Sequence, residues 1–124
     1  MRFIILHKTN AHWEAGARPG PELIARVGSL LGELAAAGVL VSAEGLRPSC
    51  EGVRLRFSGG KRTVIKGPFD ASHELPAGFT ILRTQSIDDD AGRWAERYIV
   101  AVGAEEVDVL ELEDIVTASS PTFR

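Results

Sequence analysis

Between Pro21 and Gly38 the chain carries one amphipathic period, and this segment constrains most of what the rest can become. Its apolar positions Leu23, Val27, Leu30, Leu31 and Leu34 are spaced four, three, one and three residues apart, which draws a single stripe on an α-helix. Pro21 suits a first helical turn, where a missing N–H costs nothing. Glu22 favours the positive end of the helix dipole, and Gly38 is a natural stop. The spacing therefore predicts a helix over Glu22–Ala37. A helix that is oily along one stripe must bury it on a second layer, so the flanking segments have to supply a sheet.

They are suited to it. Arg2–Lys8 holds the run Phe3-Ile4-Ile5-Leu6, which is apolar without alternation, as in a strand covered on both faces. Residues 9–20 are rich in turn formers. Val39-Leu40-Val41 reads as a second strand. Val53–Phe57 alternates apolar residues with Arg54 and Arg56, Gly59-Gly60 turns the chain, and Arg62–Ile65 returns, which is a hairpin pattern. A loop over residues 66–78 leads to a strand at Phe79–Arg83. Asp88, Asp89 or Asp90 can cap a helix of about 91–101, where Trp94, Tyr98 and Val102 share a face. In the last strand, Glu106–Leu112, the alternation slips between Val109 and Leu110, which predicts a β-bulge there or burial of both faces.

The expected order is β-α-β-(β-β)-β-α-β, an α+β, ferredoxin-like split βαβ with an inserted β-hairpin. Six strands in one sheet with both helices on its back leave an apolar front that no third layer covers. A homodimer in which two sheets pack face to face, a dimeric α/β barrel, is the economical solution. The domain is expected to span residues 1–115, with 116–124 as a loosely ordered tail.

Composition narrows the function classes. With 124 residues, 44% hydrophobic and 25% charged, the chain is an ordinary single domain and not a disordered segment. A net charge of −3 lacks the basic surplus of a nucleic-acid binder. A single cysteine, Cys50, leaves no internal disulfide and no cysteine zinc cage. His7, His12 and His73 are far apart, and Asp88-Asp89-Asp90 lacks the spacing of an EF-hand loop, so no metal or other cofactor is expected. Phe3–Leu6 is too short for a signal peptide core, and no apolar run approaches a membrane span, so a soluble cytoplasmic domain is expected.

Gly67-Pro68-Phe69, Asp70-Ala71-Ser72-His73-Glu74-Leu75 and Ala77-Gly78-Phe79 resemble the signature of the DGPF-domain branch of the YCII-related family. Glu22-Leu23, Ala37-Gly38-Val39-Leu40, Glu44–Ser49 and Val53–Val64 look like further segments of that family in matching order, so the resemblance covers roughly residues 1–115. It implies a dimeric ferredoxin-like barrel with a cleft for a small molecule. Related proteins are proposed to use a His–Asp pair, and some family genes neighbour extracytoplasmic-function sigma factors, which implies a transcription-regulatory protein partner. Two positions depart from the pattern: Lys66 stands where the family has Asp, and His73 where it usually has Lys.

The candidates for chemistry follow from these readings. His7 lies at the end of the first strand on the face of Phe3 and Ile5; pointing away from the helices, it would enter the dimer cleft as a general acid or base. Its plainer reading is a core histidine. His73 and Asp70 form the other catalytic pair, with Glu74 able to orient the ring; a solvated loop tip is the alternative. Glu44, which could be a buried acid with a raised pKa, joins Lys66, Phe69 and Glu74 as candidate ligand contacts. Two functions remain in view: a small-molecule-binding or regulatory dimeric module, and a small-molecule enzyme with a His/carboxylate pair.

Overall fold

The computed structural model describes residues 1–70 and 74–114, so His73 and the tail 116–124 lie outside the described residues. In chain order the elements are β1 (Arg2–Lys8), α1 (Ala11–Glu14), α2 (Pro21–Ala36), β2 (Leu40–Gly45), β3 (Val53–Ser58), β4 (Lys61–Lys66), β5 (Pro76–Arg83), α3 (Gly92–Val102) and β6 (Val107–Glu111). A short 3₁₀ turn at Ser49–Glu51 carries Cys50, and a π-helical turn at Ile87–Ala91 leads into α3.

Instead of one six-stranded sheet, the strands form two. β2, β5, β1 and β6 make an antiparallel sheet in that order, while β3 and β4 pair only with each other. The hairpin is closed by its own tight turn. Gly59 and Gly60 take φ of +57° and +76°, the two left-handed positions of a tight two-residue loop, and Ser58 pairs directly with Lys61. A further glycine pins the hairpin's base: a side chain at Gly67 would strike the Ser49 carbonyl at 1.7 Å.

α2 and α3 cover one face of the four-stranded sheet. Ile5 and Leu82 from the strands meet Leu30 and Leu34 of α2 and Ala95 and Tyr98 of α3 in a closed core. Each such leucine, taken fully from water, contributes roughly 2 kcal/mol. Because side chains alternate along β1, Phe3, Ile5 and His7 point to the helices, and Ile4, Leu6 and Lys8 point away. On that second face Ile4 is paired across the ladder with Ile81 and Leu110, and Leu6 with Phe79.

Two local expectations need correction. The ladder between β1 and β6 runs without a bulge from Phe3↔Glu111 to His7↔Val107. The slipped alternation arises because Val107 and Val109 serve the helix-side core, while Leu110 serves the open face at 56% exposure. The turn before α3 is capped by Ser86, not by an aspartate: its hydroxyl accepts from Asp89 N and Asp90 N. The Asp90 carboxylate reaches back to accept from the N–H groups of Gln85 and Ser86, each at 3.2 Å. This is a reciprocal capping arrangement in which the aspartate is the returning member.

Candidate functional site

The last inward-facing residue of β1 is His7, and the pairing with β5 is irregular between His7 and Lys8. Such an irregularity re-aims the chain as it leaves the sheet. His7 lies beneath the helices, not in an open cleft on the far face, which corrects the orientation expected from sequence. Its ring packs on Tyr98 of α3 with centroids 4.6 Å apart and planes tilted by 45°. Nε2 lies 3.2 Å from the Thr80 hydroxyl, and Nδ1 is buried without a hydrogen-bond partner among the described residues. Burial pushes the imidazole down to about pH 4, so the ring is neutral near pH 7.

Two more buried hydroxyls stand nearby. Tyr98 is 2% exposed, and its hydroxyl has no aligned partner among the described residues; burial raises its pKa, and neighbouring Thr80 opposes the shift more weakly. The Thr9 hydroxyl is likewise buried, with no partner among the described residues. Buried polar atoms without partners are uncommon and ask for a reason, such as a missing ligand or water.

A cavity of about 480 Å³ opens beside His7. Its walls are His7 and Lys8 of β1, Asn10 and Trp13 at α1, the Leu23–Leu31 side of α2, and Val102–Ala104 after α3. A smaller cavity of about 160 Å³ shares His7, Val27 and Leu31 with it and reaches Thr80 and Tyr98. His7 is thus common to both. An apolar hollow of a few hundred Å³ with a few convergent polar groups is what small-molecule sites look like. The larger groove of about 550 Å³ between α2 and α3 is different in kind: it lies on the outer surface and is bordered by the Arg97–Glu33 ion pair.

The cavity wall depends on local sequence. Asn10 caps α1 by accepting from the Trp13 N–H at 2.9 Å, which sets the helix despite its single turn. The Trp13 indole N–H then donates to the Leu46 carbonyl at 3.0 Å, fixing the ring in place. At the rim Lys8 is 13% exposed and ringed by Glu74 at 3.2 Å and by Glu106 and Asp108 at 3.5 Å. Burial alone would depress this ammonium; the three carboxylates outweigh it and raise the pKa.

The other expected site residues fall elsewhere. Glu44 is exposed on edge strand β2 and borders only the smaller cavity, so it is not the buried acid expected. Lys66 is exposed at the end of β4, and Asp70 is exposed beyond it. Phe69 carries the Arg54 guanidinium over its ring at 4.3 Å, and its N–H donates to the Ser49 hydroxyl. Ser49 in turn donates through N and Oγ to Glu14, whose carboxyl is held below its ordinary pKa by those two bonds. These contacts tie the loop over α1, at a separate hollow of about 200 Å³. Lys66, Phe69 and Asp70 therefore do not join His7. Glu74 does reach the rim, through Lys8.

Sequence reasoning missed Tyr98, Thr80 and Trp13. Tyr98 was visible only as a member of the α3 stripe, where a tyrosine among aliphatics is the one hint that a hydroxyl would be buried. Trp13 falls within the turn-rich stretch 9–20, although Asn10 three residues earlier is a legible helix cap. No family model and no curated protein matches this chain.

Proposed function

We propose that this chain is a homodimeric small-molecule-binding domain, related to the DGPF branch of the YCII-related family and working in the cytoplasm. The observation that carries the binding reading is the apolar cavity of about 480 Å³ with a neutral, half-satisfied imidazole in its wall. A ligand that fits has an apolar, preferably aromatic body and one uncharged hydrogen-bonding group for His7 Nδ1. A carboxylate finds no free cation here: burial disfavours the charged imidazolium, and the Lys8 ammonium is already ion-paired with three acids.

The strand order β2-β5-β1-β6, with the hairpin set apart, is the order of a ferredoxin-like sheet and supports the family reading. The apolar open face of Ile4, Leu6, Phe79, Ile81 and Leu110 supports the dimer.

Binding is preferred over acid–base catalysis for a physical reason. A general base works best with a pKa near the operating pH, and His7 sits well below it with Thr80, not a carboxylate, as its partner. A thermal-shift screen of neutral aromatic compounds against wild type and Gly28→Trp, which fills the cavity from α2, tests the proposal. Stabilisation of wild type alone supports it; equal responses from both proteins, or none, refute it. Turnover that disappears in His7→Ala would move the assignment to an enzyme.

A further inference from the structure

A neutral imidazole carries one N–H and one bare nitrogen, and which is which decides what a ligand must offer it. The fold restricts the choice at His7. The Nε2–Cδ2 edge of its ring faces β5: Nε2 is 3.2 Å from the Thr80 hydroxyl, and a Cβ added at Gly78 would lie 3.7 Å from Cδ2. That puts Nδ1 on the opposite side of the ring, turned away from β5. The two cavities divide in the same way. The smaller has Phe79, Thr80 and Tyr98 in its wall, whereas the larger is bounded by α2 and Val102–Ala104 and includes neither Thr80 nor Tyr98.

The Tyr98 hydroxyl is the second constraint. It is buried next to the Thr80 hydroxyl and has no aligned partner among the described residues. Thr80 is itself 1% exposed. Each hydroxyl has a single proton to donate. With the ring proton on Nε2, that N–H donates to Thr80, Thr80 is left to donate to the Tyr98 oxygen, and the Tyr98 O–H meets nothing. With Nε2 bare, Thr80 donates to it, and the Thr80 oxygen is open to the Tyr98 O–H. Only the second arrangement gives both hydroxyl protons an acceptor, and a buried donor without one is unfavourable. It leaves the ring proton on Nδ1.

We infer that the cavity beside His7 selects ligands carrying a hydrogen-bond acceptor, a carbonyl oxygen received by His7 Nδ1–H, with Thr80 and Tyr98 as positioning residues that fix the tautomer. The inference rests on the binding reading above and names its ligand class: uncharged aromatic carbonyl compounds. The acceptor holds the proton on Nδ1, which frees Nε2 for Thr80 and brings the Tyr98 hydroxyl into line behind it. The link to Tyr98 is thus completed in the complex.

Two bicyclic probes of nearly equal size test it. Indole fills the hollow with a donor N–H, and the benzylic ketone indanone fills it with an acceptor. Amide-spectrum titrations of wild type are expected to give indanone a Kd lower by about fivefold, the worth of one ordinary hydrogen bond. Thr80→Val removes the hydroxyl with little change of shape and should bring the two probes within about twofold of each other, and Thr80→Ser should restore the preference. The ¹⁵N shifts of the His7 ring in the wild-type indanone complex should place the proton on Nδ1. Should Thr80→Val not fold, Tyr98→Phe takes its place, and the preference for indanone should shrink there. Indole bound as tightly as indanone, a preference undiminished in the variant, or a ring proton on Nε2 overturns the acceptor rule and leaves the cavity reading standing. Failure of both probes to bind wild type overturns both.

Discussion

The His7 ring is held 4.6 Å from the Tyr98 ring, with Thr80 at its Nε2 and no hydrogen-bond partner for its Nδ1 among the described residues. This contact joins the first strand to the last helix and places the half-buried His7 imidazole in the wall of an apolar cavity. It makes the site sensitive to pH.

His7 titrates near 4 in the fold and near 6.5 in an unfolded chain. As pH falls from about 6.5, the unfolded state takes up the proton first, so stability declines until about pH 4 and is flat above 6.5 with respect to this group. The loss over that window is on the order of 3 kcal/mol. Urea unfolding of wild type and His7→Gln at stepped pH checks it: the two curves should differ in slope between pH 4 and 6.5. Parallel curves would contradict the buried neutral imidazole.

Tyr98 tests the unpaired hydroxyl. Tyr98→Phe deletes an oxygen that has no aligned partner and should change stability by less than about 1 kcal/mol in either direction. Tyr98→Ala, which empties a fully packed ring site, should cost roughly 3–5 kcal/mol. Thermal melts of the pair separate packing from hydrogen bonding. A large loss in Tyr98→Phe would mean the hydroxyl is bonded.

Much of this architecture could be read in the sequence, and the failures are instructive. The α2 stripe, the Gly59-Gly60 turn and the strands at Arg2–Lys8 and Val53–Phe57 were all legible because each is set by local period or local φ. What was not legible depends on the third dimension. The alternation that puts His7 with Phe3 and Ile5 was plain, yet which face the helices take is decided by how the chain crosses over the sheet. The slip at Leu110 recorded two apolar faces, and a one-dimensional pattern cannot distinguish that from a bulge. The run Asp88-Asp89-Asp90 drew the eye from Ser86, whose hydroxyl reaches the backbone with the geometry a cap requires. For the candidate site, the sequence named His7 and Glu74, which the fold brings to one cavity rim, whereas the grouping with Asp70 and Lys66 assumed that one loop makes one site.

The Ser86 cap carries its own expectation. Ser86→Ala removes the acceptor for Asp89 N and Asp90 N and should cost about 1 kcal/mol. Ser86→Asp, which keeps an acceptor, should recover part of it. Chemical denaturation measures both, and an unchanged midpoint in Ser86→Ala would remove Ser86 as the cap.

Gly28 lies inside α2 on the cavity wall, and a methyl group there would meet nothing within 4 Å. Gly28→Ala should therefore stabilise the fold by about 0.5–1 kcal/mol, the helix-interior difference between the two residues. A drop in melting temperature would show that the cavity wall is tighter than described.

The central claim is that the apolar hollow beside His7 takes a small neutral aromatic molecule. Titrating indole into ¹⁵N-labelled protein, and following the amide spectrum, tests it directly, since indole offers an aromatic body and one N–H. The account predicts saturable shifts at His7, Trp13, the Leu23–Leu31 segment and Val102–Ala104. An unresponsive spectrum, or shifts confined to Ile4, Leu6, Phe79 and Ile81 on the open face, would contradict it.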